Sequence, residues 1–141
     1  MKVSDCMGQN PVTIGMDASV SSAARLMARR NVGFLPVCQG GALMGVVTDR
    51  DLLLRCVAAG EDPNVTPVSR VMTGRVLTAS PKEELYLASR RMAQAQVRRL
   101  PVVENGRLLG MVALSDVSRQ EDYALETAQC LQEISNPVKK W

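Results

Sequence analysis

Histidine is absent from the 141 residues. That removes imidazole general acid–base catalysis and leaves zinc without its usual nitrogen ligands, so no metal site is expected. Aromatic residues make up only 3% of the chain, too few to build stacking platforms for single-stranded nucleic acid. The formal net charge is +3 with lysines and arginines dispersed, which gives no basic footprint, and a nucleic-acid partner is not expected. No apolar run approaches the roughly 20 residues of a membrane span. The opening Met1-Lys2-Val3-Ser4-Asp5 has no signal-type hydrophobic stretch, so a cytoplasmic location without a membrane partner is expected. Cys6, Cys38, Cys56 and Cys130 form no CxxC pair and read as reduced thiols in buried or half-buried places. A GxxxxGK[ST] phosphate loop and a nucleophile–base pair are also missing, and with them the case for an enzyme.

What is present is ordinary globular material: hydrophobic residues at 46% and charged residues at 22%. The length falls within that of one compact domain with a real core. Of the eight methionines, Met27, Met44, Met92 and Met111 occupy places that predict core filling rather than a soft-metal site.

Self-similarity decides the organisation. Asn31-Val32-Gly33-Phe34-Leu35-Pro36-Val37-Cys38 parallels Gln96-Val97-Arg98-Arg99-Leu100-Pro101-Val102-Val103, with Pro36 and Pro101 standing 65 positions apart (101 less 36). The same ungapped offset relates Thr13 to Thr78, Ala23 to Ala88, Met27 to Met92, Gly45 to Gly110 and Asp51 to Asp116. The chain therefore holds a duplicated unit: residues 1–60, a polar proline-bearing connector over 61–70, a second copy over 71–120, and a helix and tail over 121–141.

Each copy reads as β-α-β-β-α. Val20, Ala23, Ala24 and Met27 mark one helical face, as do Leu85, Ala88, Ser89 and Met92 in the second copy. Ser80-Pro81-Lys82-Glu83 predicts a capping box that starts the second of these helices. Gly40-Gly41 and Asn105-Gly106 predict tight hairpins between paired strands. Asp49 to Ala59 predicts a helix that stops at Gly60. From Ser118 to Ile134 a further helix is expected, with Ala124, Ala128, Leu131 and Ile134 on its packing side and Glu121, Asp122, Glu126 and Glu133 on the other. Neither copy alone buries much surface, so the two are expected to pack about a pseudo-two-fold axis as one α/β (α+β) unit.

The strings Val32 to Val37 and Gly45-Val46-Val47-Thr48-Asp49-Arg50-Asp51-Leu52, with Val97 to Val103 and Gly110 to Val117, are similar to those of the CBS (cystathionine-β-synthase) domain. The tandem resembles a stand-alone bacterial Bateman module over nearly the whole chain. The resemblance implies small sheets with stacked helices, clefts that take AMP, ADP, ATP or S-adenosylmethionine, a flat homodimer, and regulation of a partner protein without catalysis.

Thr48 and Asp51 suit a nucleoside phosphate. An ionised carboxylate accepts from both hydroxyls of a ribose, and a hydroxyl at a helix start sits beside free N–H groups. The same two residues also serve a helix cap, and both readings stand. The resemblance implies that Thr13, Ile14, Val32, Gly33, Phe34, Leu35 and Pro36 supply an adenine slot, with Thr78 and Ala79 matching in copy two. Ala113 stands in copy two where Thr48 stands in copy one, so the cleft that keeps Asp116 is expected to be the weaker. Arg98 and Arg99 replace Gly33 and Phe34. Adjacent strand residues face opposite ways, so one of them at most is expected to enter a given cleft. Phosphate binding and plain solvation both fit these arginines, and Arg50 is a further phosphate candidate. The functional expectation is an adenine-nucleotide sensor acting in trans on an unidentified protein. The alternatives are an interaction adaptor with degenerate clefts and a module that binds S-adenosylmethionine.

Overall fold

The computed structural model describes residues 1–120 and 123–136. Its elements in chain order are β1 (Gly8–Gln9), β2 (Ile14–Gly15), α1 (Val20–Arg30), β3 (Phe34–Gln39), β4 (Ala42–Thr48) and α2 (Asp49–Leu52). Then follow α3 (Val68–Val71), α4 (Leu85–Ala95), β5 (Arg99–Glu104), β6 (Arg107–Ala113), α5 (Leu114–Ser118) and α6 (Ala124–Ile134). This is the mixed helix-and-sheet composition that the repeat predicts.

Two compact units divide the chain, and neither is one uninterrupted stretch. Unit 1 holds residues 1–10, 77–105 and 109–141; unit 2 holds 11–76 and 106–108. The short segment that leads into each copy thus belongs to the unit formed by the other copy. In unit 1, Val3 donates to the Glu83 carbonyl and Leu85 to that of Met1, both at 2.9 Å. In unit 2, 65 residues on, Val68 donates to the Ala18 carbonyl at 2.8 Å and Val20 to that of Thr66 at 2.9 Å. Val3 and Val68 are both fully buried, one in each core.

Within unit 2, β2 lies parallel to β3, β3 antiparallel to β4, and Thr73 bridges Val46 on the far edge of β4. Within unit 1, Ala79 bridges Val102 in β5, β5 pairs with β6, and β1 lies antiparallel to β6 with Gly8 opposite Met111. Both strand glycines serve these close pairings. A Cβ on Gly45 would lie 2.5 Å from the Thr73 carbonyl oxygen, and one on Gly110 would strike the Gly8 carbonyl. The hairpins are as expected: Gly40, Gly41, Asn105 and Gly106 all take the positive φ of a two-residue mirror-image turn.

Several local expectations are corrected. Helix α4 starts at Leu85, not at Pro81, because the Pro81 and Glu83 carbonyls accept from Ser4 and Val3 and are lost to a helix. The 49–59 helix keeps α geometry only to Leu52 and passes into a π-helical turn, Leu53–Val57, in which Cys56 is buried. Ala24 is exposed, as is Met44, whereas Met27 and Met92 do fill the cores. The helix expected over Ser118 to Ile134 is not continuous: α5 ends at Ser118 and α6 starts at Ala124, and Glu121 and Asp122 lie outside the described residues. On α6 the buried side is Thr127 and Cys130, with Tyr123 and Ile134 against the core; Ala124, Ala128 and Leu131 are exposed. Helix α6 docks on α4 through the Cys130 thiol donating to the Ser89 carbonyl at 3.5 Å and an Arg90–Glu133 ion pair at 2.9 Å.

Candidate functional site

The expected site residues fall into two sets, one inside each unit. In unit 2, Phe34 pairs directly with Thr48 across the β3–β4 ladder, and Ile14 pairs with Val37 on the opposite edge of β3. The Asp49 N–H donates to the Gly33 carbonyl at 3.0 Å, which ties the start of α2 to the start of β3. The start of β3 thereby brings Gly33, Phe34 and Thr48 together, with Ile14 on the other edge of the strand. Val32, Gly33, Phe34 and Thr48 are half-buried and Thr13 is exposed. Leu35 and Pro36 are buried, so the Leu35 side chain belongs to the core.

The turn into α2 is a reciprocal capping box. Thr48 Oγ1 accepts the Asp51 N–H at 3.1 Å, and Asp51 Oδ2 accepts the Thr48 N–H at 3.0 Å. Asp51 Oδ1 lies 3.8 Å from Arg55 Nε, beyond hydrogen-bond range. Arg55 is held instead by the backbone carbonyls of Val71 and Met72, at 3.4 and 3.3 Å. Asp51 Oδ1 therefore has an ion-pair contact with Arg55 but no hydrogen bond from it, on a carboxylate whose other oxygen is held by the Thr48 N–H and whose side chain is 16% exposed. Arg50 is exposed beside it. A Cβ on Gly33 would come within 2.7 Å of Asp49 Oδ2, the end of an exposed side chain that can swing aside.

Unit 1 repeats the frame with different chemistry. Asp116 Oδ2 accepts the Ala113 N–H at 2.9 Å, but Ala113 has no hydroxyl to return. The other oxygen, Asp116 Oδ1, accepts from Arg119 at 2.8 Å, so both acceptor oxygens are in use. Upstream, Arg91 pairs with Glu83 and donates to the Thr78 carbonyl at 2.7 Å. Both backbone groups of Ala79 serve the bridge to β5, through Pro101 and Val103 at 2.9 Å each. Arg98 and Arg99 are exposed and border one and the same pocket. Burial first, then the charges of Asp116 and Asp5, push the Cys6 thiol pKa above its ordinary value; burial alone raises that of Cys38.

Sequence reasoning missed Arg55, Arg119 and Arg91. The first two carry a signal, standing four residues after Asp51 and three after Asp116 at helical contact spacing. Arg91 has none, since its partners lie 8 and 13 positions upstream. Among the described residues no group of three His, Cys, Asp or Glu side chains is arranged to hold a metal ion. Nor is any helix among them long and apolar enough to cross a membrane.

Comparison with known proteins places this geometry. The CBS domain model matches residues 3–57 and again 68–122. The CBS domain-containing protein YhcV of Bacillus subtilis is 43% identical over 116 residues, covering 82% of each chain. A crystal structure of Hypoxic Response Protein I with two coordinated zinc ions superposes with a TM-score of 0.78 at 29% identity, over 84% of this chain and 98% of that one. A CBS domain pair in complex with 5′-methylthioadenosine and S-adenosyl-L-methionine superposes with a TM-score of 0.72 at 27% identity, over 84% and 94% of the two chains.

Proposed function

The chain belongs to the CBS domain family as a tandem pair, and from that premise we propose that it is a regulatory module that binds an adenine nucleotide (AMP, ADP or ATP) and passes its occupancy to a protein partner. The observation that carries the reading is the state of Asp51. Its carboxylate is held by the Thr48 N–H, and its second oxygen faces Arg55 at 3.8 Å, beyond hydrogen-bond range, which leaves it able to accept from a ligand hydroxyl. A ribose diol needs such an acceptor. Adenine packs on the half-buried Val32, Gly33 and Phe34 beside Thr13 and Ile14, with Arg50 for the phosphate end. Copy two is the poorer site, because a ribose there must displace Arg119 from Asp116 and finds no hydroxyl at Ala113.

The complex of a related pair with two adenosine compounds supports the class of ligand and keeps S-adenosylmethionine as the alternative within it. Regulation follows if the partner, or a second copy of the chain, binds the occupied and empty forms with different affinity. No catalytic role is assigned. The adaptor reading rests on the occupied Asp116 and predicts partner binding that ignores nucleotide. Isothermal titration of the chain with AMP, ADP, ATP and S-adenosylmethionine tests the proposal. Saturable binding of one of them, lost in Asp51→Asn and kept in Asp116→Asn, is expected. No heat from any of the four, or equal loss in both variants, contradicts it.

A further inference from the structure

Helix α6 lies wholly beyond residue 122, where the second match to the CBS domain ends, and it packs on α4 and α5 of unit 1. The positions 65 earlier, 59–69, hold the connector and the start of α3 instead, with Val68 and Ser69 bonded to the Ala18 and Met16 carbonyls. The two copies therefore show the same helix face covered and uncovered. On α4, Ser89 and Ala93 are 0% and 2% exposed and Arg90 is paired with Glu133. On α1 their counterparts Ala24, Ala28 and Arg25 are all exposed.

Unit 2 closes its core without such a helix. Met27, Leu35 and Val47 are buried there as Met92, Leu100 and Val112 are in unit 1, and of the unit 1 core cluster only Cys130 belongs to α6. The bonds that hold α6 are weak or reach water. Arg90 meets both Glu133 oxygens, at 2.9 and 3.3 Å, but the two side chains are 30% and 44% exposed, where an ion pair contributes little. Gln96 donates to the Glu133 carbonyl at 3.2 Å, and the Cys130 thiol, a poor donor, to that of Ser89 at 3.5 Å. Docking also carries a penalty. Thr127 is 4% exposed and its hydroxyl has no partner among the described residues, so it recovers hydrogen bonds to water only when α6 leaves.

We propose that α6 is a detachable cover: it leaves α4 as one piece while the sheet and core of unit 1 stay folded, and so opens on α4 the face that α1 presents permanently. The released Ser89, Arg90 and Ala93 form a docking surface for a segment that brings a carboxylate to Arg90 in place of Glu133. At 11 residues α6 is too short to persist as a helix in water, so it unwinds as it leaves.

Labelling of the intact chain with N-ethylmaleimide, read cysteine by cysteine by mass spectrometry across a urea series, tests this. Cys130 is fully buried under α6, and Cys56 is fully buried in the core of unit 2. Amide exchange at Val102 and Val112, followed by NMR on the same protein, supplies the rate of global opening. Cys130 should react at least about tenfold faster than that rate allows, with almost no dependence on urea, because release exposes little surface. Thr127→Val should slow Cys130 labelling by about tenfold, since the docked helix no longer holds an unpaired hydroxyl. Glu133→Gln should speed it by about twofold to fivefold. Val102→Ala, which loosens the core, should leave the Cys130 rate unchanged. The measurement needs no nucleotide, so it stands whether or not Asp51 binds one. A Cys130 rate that follows Val102 and Val112 exchange through the urea series, that rises in Val102→Ala, or that does not fall in Thr127→Val would each overturn the proposal.

Discussion

Alanine at position 45 should unsettle unit 2 out of proportion to the single methyl it adds. The new Cβ would lie 2.5 Å from the Thr73 carbonyl oxygen and 3.0 Å from Met72 Sδ. The thioether can swing away, but the carbonyl cannot, because it accepts the Val46 N–H at 3.0 Å while Thr73 donates to the Val46 carbonyl at 2.8 Å. Relief of the clash means either strained packing, about 1–3 kcal/mol, or loss of those two bonds at about 0.5–1.5 kcal/mol each. Alanine returns about 0.4–1 kcal/mol by restricting the unfolded chain. The net loss is about 0–2.6 kcal/mol, which is about 1–3 kcal/mol against an unobstructed Gly→Ala control that keeps the same return, a difference in urea midpoint of about 1 M at an unchanged slope. Gly110→Ala should do the same in unit 1, where the obstacle is the Gly8 carbonyl. Gly74→Ala is the control, since nothing lies within 4 Å of its Cβ. Urea unfolding of the three variants decides the matter. If Gly45→Ala is as stable as Gly74→Ala, the close pairing of each sheet with the segment leading into the other copy is wrong.

Leu35 and Leu100, related by the repeat and almost wholly buried in separate cores, should each cost about 2–5 kcal/mol when cut to alanine, read by the same unfolding assay. Cys6 and Cys38, with thiol pKa values raised above ordinary, hold less thiolate at neutral pH and should alkylate more slowly with iodoacetamide in the folded chain than in urea. The sign for stability follows from linkage: raised thiols favour the folded state below their unfolded pKa, and that contribution is lost as pH rises through the folded value. Stability should therefore fall on the alkaline side, and less so in a Cys6→Ala variant.

The parts legible in the sequence are those that local chemistry enforces. Gly40-Gly41 and Asn105-Gly106 name their turns because few other residues accept positive φ. The faces of α1 and α4 follow from apolar spacing, and the 65-residue offset ties both copies to one plan. The exchange of leading segments was hidden, since β1 has two residues and Val3 or Val68 alone shows no period. The late start of α4 was hidden too, as the Pro81 and Glu83 carbonyls that a helix would need accept from Ser4 and Val3, 77 and 80 positions upstream. On α6 the buried Thr127 and Cys130 are as compact as the alanines beside them, so hydropathy could not fix which side packs. In the site, the Thr48–Asp51 pair was plain from its spacing. What separates the two copies is the partner's distance: Arg119 hydrogen-bonds Asp116 at 2.8 Å from three residues on, whereas position 54 is leucine and Asp51 has only Arg55, four residues on, at 3.8 Å.

The sharpest probe of the central claim is a double-mutant cycle between protein and ligand: titration of wild type and Asp51→Asn with AMP and with its 2′-deoxy analogue. If Asp51 accepts from the ribose diol, the missing hydroxyl should weaken wild-type binding by about tenfold and leave Asp51→Asn nearly indifferent. An equal penalty in both proteins, or none in wild type, would show that the carboxylate only caps its helix.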